Sequence, residues 1–263
     1  MESASDSTAA VPVPPRGPAR RGLAVWLGGR IGLDDYWSLA ERLAWEVSEP
    51  AGRPPTLLVC ELAPAITIGR AGSRADVLLS AEELTAHRLD LRFVGRGGGA
   101  VLHGPGQVCV ALFGALADLG LSRTDVGGHV ARFEMALDAA LGRVRCRPAR
   151  VPGVAGAFGR SGLLAAVGVA VRRGVASHGA FVNVAAPLDL CRRVRTVPAA
   201  ACPTMGSIEA ELRRKLRMQD VRTALVHAIG EAWEFPRVHV QAGLPVMLRG
   251  PRARRPEALG RVG

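Results

Sequence analysis

The sequence predicts an α+β domain, a mixed β-sheet packed by helices. Short apolar runs of strand type recur along the chain, and stretches with apolar residues three and four apart lie between them. The two kinds alternate without a regular βαβ repeat, which separates this class from doubly wound folds. At 263 residues, 48% hydrophobic and 22% charged, the chain is long enough to bury one sizeable core. Aromatic residues are only 4%, so that core draws mainly on Val, Leu and Ala.

In chain order, LAVWL (23–27) reads as a strand, and the spacing of Trp37, Leu39, Ala40, Leu43, Ala44 and Val47 predicts a helix over 34–49 with Asp34 as its N-cap. TLLVCEL (56–62) and AITIG (65–69) read as two strands paired with each other across Ala63-Pro64. Ser80-Ala-Glu-Glu83 has the capping-box pattern that opens a short helix. Arg92–Val94 and Val108–Phe113 read as strands flanking a glycine-rich loop. A helix is predicted over His129–Leu141 from Val130, Phe133, Leu137 and Leu141. Leu163–Val171 and Ala180–Val184 read as buried strands, and helices are predicted over Ser207–Met218 and Asp220–Trp233, the latter started by Asp220.

Both ends differ in composition. Residues 1–21, rich in Ser, Ala and Pro, and residues 249–263, with five arginines against Glu257, predict disordered tails around a domain over 22–248. The formal net charge is +11, with Lys215 the single lysine. The body's share is diffuse and no aromatic-interleaved basic stripe accompanies it, so no nucleic-acid partner is expected. Five well-separated cysteines, an odd count without a Cys-x-x-Cys pair, predict reduced thiols and a cytoplasmic protein. The N-terminus lacks the basic and apolar regions of a signal peptide, and the longest apolar stretch, near Gly162–Val171, is too short to span a bilayer. The six histidines are scattered, so no metal site is expected, nor any cofactor.

The most informative segment is Gly95-Arg96-Gly97-Gly98-Gly99-Ala100-Val101-Leu102-His103-Gly104-Pro105-Gly106-Gln107. Its glycines let backbone approach a ligand closely and present N–H groups, and its arginine can hold an anion or a carbonyl. It is no Walker A loop, since no Gly-Lys-Ser/Thr follows. By composition alone, a hairpin turn needing positive φ explains it as well.

As a string, RGGGAVLHGPGQ resembles the Arg-Gly-Gly … His-Gly-Pro-Gly-Gln signature of the octanoyltransferases of protein lipoylation, members of the biotin and lipoate protein ligase superfamily. TLLVCELAPAITIGR upstream is similar to that family's strands ending in Gly-Arg. AAVGVAVRRGVASHGAFVNV (165–184) resembles its alanine-x-glycine strand followed by His-Gly and Asn-Val. About residues 23–235 can be laid against the family in order.

The resemblance implies the ligase-type catalytic-domain fold, with an acyl tunnel between the glycine-rich loop and the Ala166–Gly168 strand. It implies a monomer that takes an octanoyl thioester from acyl carrier protein onto a cysteine and passes it to a lysine of a lipoyl domain. Carried over by position, the substrate site comprises Arg96, Gly97, Gly98, Gly99, Ala100, Val101, Leu102 and His103. Ala166, Val167 and Gly168 join it, with Gly179, Ala180 and Phe181 after His178. His103 and His178 have the alternative of bonding backbone carbonyls, and Gly168 that of permitting close strand packing.

Three positions depart from the pattern. Leu163 stands where the family has a lysine, Val101 where it usually has threonine, and the nucleophile's place falls near Val197–Pro198, with Cys202 about four residues later. Cys202 is therefore the candidate catalytic residue, activated by the start of the helix at Ser207 or by His103. Two readings follow: an acyltransferase with a relocated cysteine, or a relative that binds an acyl chain, carrier or lipoyl domain without turnover. An ATP-dependent ligase ranks below both, since the lysine for an acyl-adenylate phosphate is absent.

Overall fold

The computed structural model describes residues 22–49, 52–196 and 204–245. Cys202, the Val197–Pro198 position and both tails lie outside the described residues. The chain runs β1 (Leu23–Ile31), α1 (Leu33–Ser48), β2 (Thr56–Leu62), β3 (Ala65–Ile68), α2 (Ala81–Ala86), β4 (Asp90–Phe93), β5 (Ala100–His103) and β6 (Gln107–Ala115). It continues through α3 (Val126–Arg143), β7 (Ala149–Val151), β8 (Val154–Gly159), β9 (Gly162–Arg172) and β10 (Val175–Asn183). Last come α4 (Leu188–Cys191), α5 (Ile208–Leu212), α6 (Met218–Ala232) and β11 (Val238–Ala242).

Eight strands form one sheet in the order β11-β1-β2-β6-β10-β9-β8-β7, and β4-β3-β5 form a second, smaller one. β1 pairs parallel with β2 and β11, while the rest of the large sheet is antiparallel, so the sheet is mixed. Helices α3 and α6 cover one face, where Phe133, Leu137, Leu225 and Ile229 meet Leu57, Val59, Val110 and Leu112. On the other face α1 and the small sheet bring Tyr36, Leu43, Ile66 and Ile68 against Leu58, Cys60 and Phe113. β2 thus faces a core on both sides, which is why TLLVCEL is continuously apolar rather than alternating.

Several elements differ from the sequence expectation. β2 and β3 do not pair: β2 lies between β1 and β6, and β3 between β4 and β5. Pro64 cannot donate to a ladder, and there the chain leaves one sheet for the other. Ala100–His103, within the supposed loop, is a strand paired with β3. α1 begins after Gly32, and Asp34 instead forms an ion pair with Arg92 at 2.5 Å. α3 extends back to its N-cap Asp125, whose carboxylate accepts from Gly128 N. The predicted helix over 207–218 stops at Leu212, because Arg213 adopts a left-handed conformation at φ 53° and Glu209 turns back to take Leu216 N at 2.8 Å. α6 consequently starts at Met218, with Arg217 rather than Asp220 at its cap. β7, β8 and β11 were not anticipated. β8, Val-Ala-Gly-Ala-Phe-Gly, has small residues where a strand pattern needs bulky ones.

Candidate active site

The glycine-rich loop is clamped between the turn that follows β3 and strand β9. Three consecutive backbone N–H groups, of Gly69, Arg70 and Ala71, donate to the carbonyls of Gly99, Arg96 and Gly98 at 3.0–3.1 Å. On the other side Gly97 N donates to Val169 O at 2.8 Å. The loop thus spends one of its expected N–H groups and most of its carbonyls on protein. Gly98 sits at φ +79°, a conformation that disfavours any side chain.

That last bond defines a cavity. β8 pairs with β9 only from Gly162 to Ala166, and the loop takes over the same β9 edge at Val169. Between them lies a space of about 480 Å³, floored by Ala166 and Val167, with Arg96, Gly98, Gly99 and Val101 on one wall. Gly153, Val154 and Ala155 form the opposite wall, and Ala71, Asp76, Arg195 and Thr196 complete the lining. Its size is that of a small-molecule site. Gly168 keeps the loop close: a Cβ there would stand 2.9 Å from Gly97 O and 3.2 Å from the Arg96 side chain.

Behind the wall runs a buried polar chain. Arg96 Nη2 donates to Thr67 O at 3.0 Å and to Thr67 Oγ1 at 2.7 Å, and Thr67 Oγ1 lies 2.7 Å from His103 Nε2. His103 Nδ1 lies 2.8 Å from Gln107 Oε1; Gln107 Nε2 donates to Leu102 O and Asn183 Oδ1, and Asn183 Nδ2 donates to Leu163 O at 3.1 Å. Donors and acceptors agree along the whole chain if neutral His103 carries its proton on Nδ1 and accepts from Thr67 at Nε2. Burial, then the nearby Arg96 charge, push His103 down to about 3, so it stays neutral. Burial lowers Arg96 to about 10, which leaves it a cation near neutral pH, with its carbon over the Phe181 ring at 5.2 Å.

Of the residues singled out in the sequence, Arg96, Gly98, Gly99, Val101, Ala166 and Val167 share the cavity lining, and Gly97, Gly168, His103 and Phe181 pack directly behind it. Ala100 and Leu102 are buried in the β3–β5 pairing. The structure does not bring Gly179 or Ala180 to the lining. A Cβ on Gly179 would meet the Phe133 ring of α3 at 2.6 Å, and Ala180 belongs to the core under α3 and α6. His178 is apart as well, with Nδ1 3.1 Å from Tyr36 Oη beside Trp37. Leu163 is fully buried opposite Phe158, its N–H donating to Thr204 O at 3.1 Å. The β7–β8 turn and Asp76, Arg195 and Thr196 were missed. Pro152-Gly153 was a readable turn signal, whereas nothing local marks Arg195.

The four cysteines among the described residues, Cys60, Cys109, Cys146 and Cys191, are all buried, and none lines the cavity. Burial pushes Cys191 up to about 12 and raises Cys146. Cys60, opposite Cys109 in the β2–β6 register, is raised well above the usual thiol range by its hydrogen bond to Cys109 and by burial.

The mixed sheet packed by helices is the fold of the lipoate-protein ligase catalytic domain. A lipoate-protein ligase A bound with ATP superposes with a TM-score of 0.65 over 83% of this chain and 87% of its own, at 18% identity. The chain belongs to the lipoyl protein ligase A/B catalytic domain family, whose model matches residues 34–230, and within it to the octanoyltransferases. The octanoyltransferase of Geotalea uraniireducens is 34% identical over 194 residues, 74% of this chain and 85% of that protein. That of Roseiflexus sp. is 32% identical over 228 residues, 81% and 90% of the two chains. The protein is accordingly an acyltransferase of lipoate metabolism. Among the described residues no helix is long and apolar enough to cross a membrane.

Proposed function

We propose that the protein takes an octanoyl group from acyl carrier protein into the gap beside Ala166 and Val167 and delivers it to a lysine amine of a lipoyl domain, in the cytoplasm and without a cofactor. The cavity carries this reading: it is more apolar than polar, about 480 Å³, and bounded by the loop and strand whose sequences resemble the family's. A thiolate attacks the thioester carbonyl, the carrier's thiol leaves with a proton, and an acyl-enzyme forms. The lysine amine then attacks that second thioester, an amide forms, and the enzyme thiol is released.

Cys202 supplies the sulfur in this scheme. Of the chain's five cysteines, the other four are buried outside the cavity, where apolar surroundings keep a thiol protonated and inert. Thr204, two residues along the chain from Cys202, bonds the backbone of Leu163. Leu163 offers no charge to a thiolate. Arg195, exposed on the cavity lining and in no ion pair among the described residues, provides it instead.

The test mixes purified protein with octanoyl-acyl carrier protein, then with a lipoyl domain, and follows intact and peptide masses. An octanoyl increment on Cys202 that chases onto a domain lysine is expected. No increment on any cysteine and no octanoylated domain, with the donor nonetheless bound, overturns transfer in favour of a carrier-binding relative.

A further inference from the structure

Two segments distant in sequence form an exposed cationic surface. Arg145 and Arg147 follow the end of α3, while Arg213, Arg214, Lys215 and Arg217 fill the link between α5 and α6; all are exposed. Arg214 Nη2 ties the two segments together by donating to Val144 O at 2.9 Å. Lys215 pairs with Glu209 at 3.1 Å, whereas Arg145, Arg147, Arg213 and Arg217 enter no ion pair among the described residues. The neighbouring acids are largely engaged: Glu231 holds Arg143, and Glu211 holds Arg160 and Ser161 N. Asp220, exposed in the first turn of α6, is the nearest carboxylate without such a partner in the same run. Four guanidinium groups without carboxylates make a field that selects a carboxylate-bearing partner.

The patch also has a fixed relation to the start of β9, the strand whose Ala166 and Val167 floor the cavity. Ser161 Oγ donates to Ser207 O at 3.2 Å, two residues from Leu163, and Ser207 caps α5. The basic link begins at the other end of that five-residue helix, about 7.5 Å long at 1.5 Å per residue. A lipoyl-domain lysine brings its amine on a four-carbon stem, so the acceptor must dock at the cavity itself. A donor carrying its acyl group on a long prosthetic arm can dock at a distance from the cavity.

We infer that Arg145, Arg147, Arg213 and Arg217 form the docking surface for the acidic acyl-carrying donor protein, distinct from the surface that meets the acceptor. This rests on the transfer reading above. The test measures binding of octanoyl-acyl carrier protein to the full chain and to two double variants, Arg145→Glu/Arg147→Glu and Arg213→Glu/Arg217→Glu. Arg214 is left in place to hold the segments together. Each variant is expected to weaken carrier binding at least tenfold at low salt, without changing binding of the small thioester octanoyl-pantetheine or of a lipoyl domain. Wild-type carrier affinity is expected to fall steeply with added salt. Salt-independent carrier binding, variants that bind the carrier like wild type, or a loss confined to the lipoyl domain overturns the docking surface alone. Wild-type protein that binds neither carrier nor octanoyl-pantetheine overturns the transfer reading together with it.

Discussion

Thr67 Oγ1 lies 2.7 Å from Arg96 Nη2 and 2.7 Å from His103 Nε2, so one hydroxyl accepts from the loop's cation and donates to a buried neutral imidazole. Thr67→Val keeps the shape and removes both bonds, leaving a buried acceptor on His103 unsatisfied. The expected cost is about 1–3 kcal/mol of stability, the range for one buried unsatisfied group, since Arg96 keeps its bond to the backbone carbonyl of residue 67. Urea unfolding checks it; a loss below about 0.5 kcal/mol would contradict the relay.

Ala166 floors the cavity with a single methyl group. Ala166→Leu is expected to lower affinity for an octanoyl thioester at least tenfold while sparing a butanoyl one, since about one methylene of fit is worth 10–200-fold in such pockets. Competition between the two chain lengths on wild type and variant reads this directly.

Gly168→Ala places a methyl 2.9 Å from Gly97 O, so the loop must lift from β9. A loss of about 1–3 kcal/mol is expected from overpacking, together with weaker octanoyl binding. Unchanged thermal unfolding and binding would show the contact to be slack.

Acid should destabilise the protein through its histidines. His103 is held at about 3, and His129 and His178 at about 4, in each case mainly by burial. Unfolded histidines titrate near 6.5, so the unfolded state takes up protons first as pH falls. Stability is intact above about 6.5, declines by up to about 1.4 kcal/mol per pH unit for each histidine, and the decline ends below about 3–4. His129 stacks edge-on against Phe133 and Trp233, with neither ring nitrogen bonded among the described residues. His129→Phe is therefore expected to flatten the decline between pH 6.5 and 4 without cost at pH 8. Urea midpoints across that range would show it.

Alkylation should discriminate among the thiols. At neutral pH in the native state, iodoacetamide is expected to label Cys202 alone and to reach the other four only after unfolding. Arg195→Ala should shift the labelling profile of Cys202 to higher pH, by losing a cation that favours thiolate. An unchanged profile would remove Arg195 from the scheme.

The elements with strong periodicity or caps were legible: β2, β6, α1, α3 and α6 follow from runs and spacings of apolar residues, with ends shifted by a few positions. What stayed illegible has physical causes. Whether TLLVCEL and AITIG pair depends on which sheet each joins, and both are buried on every side, so no polar face records the answer. β8 is small-residue backbone whose partner lies across a turn, and β11, exposed throughout, carries no core pattern at all. At the site, Arg96, Ala166 and Val167 could be read from the glycine string and the small-residue strand. Asp76, Gly153 and Arg195 reach the same space only through tertiary placement, and Gly179 turned out to serve helix packing.

The cavity proposed to take the acyl chain is a missing stretch of ladder, opened where β8 stops and the glycine loop resumes on one strand edge. Its length is thus a matter of register, counted in peptide units. Gly153 of the β7–β8 turn is itself part of the wall, so one residue more or fewer there would reshape the space, which opens its size to tuning by insertion and deletion as well as by substitution.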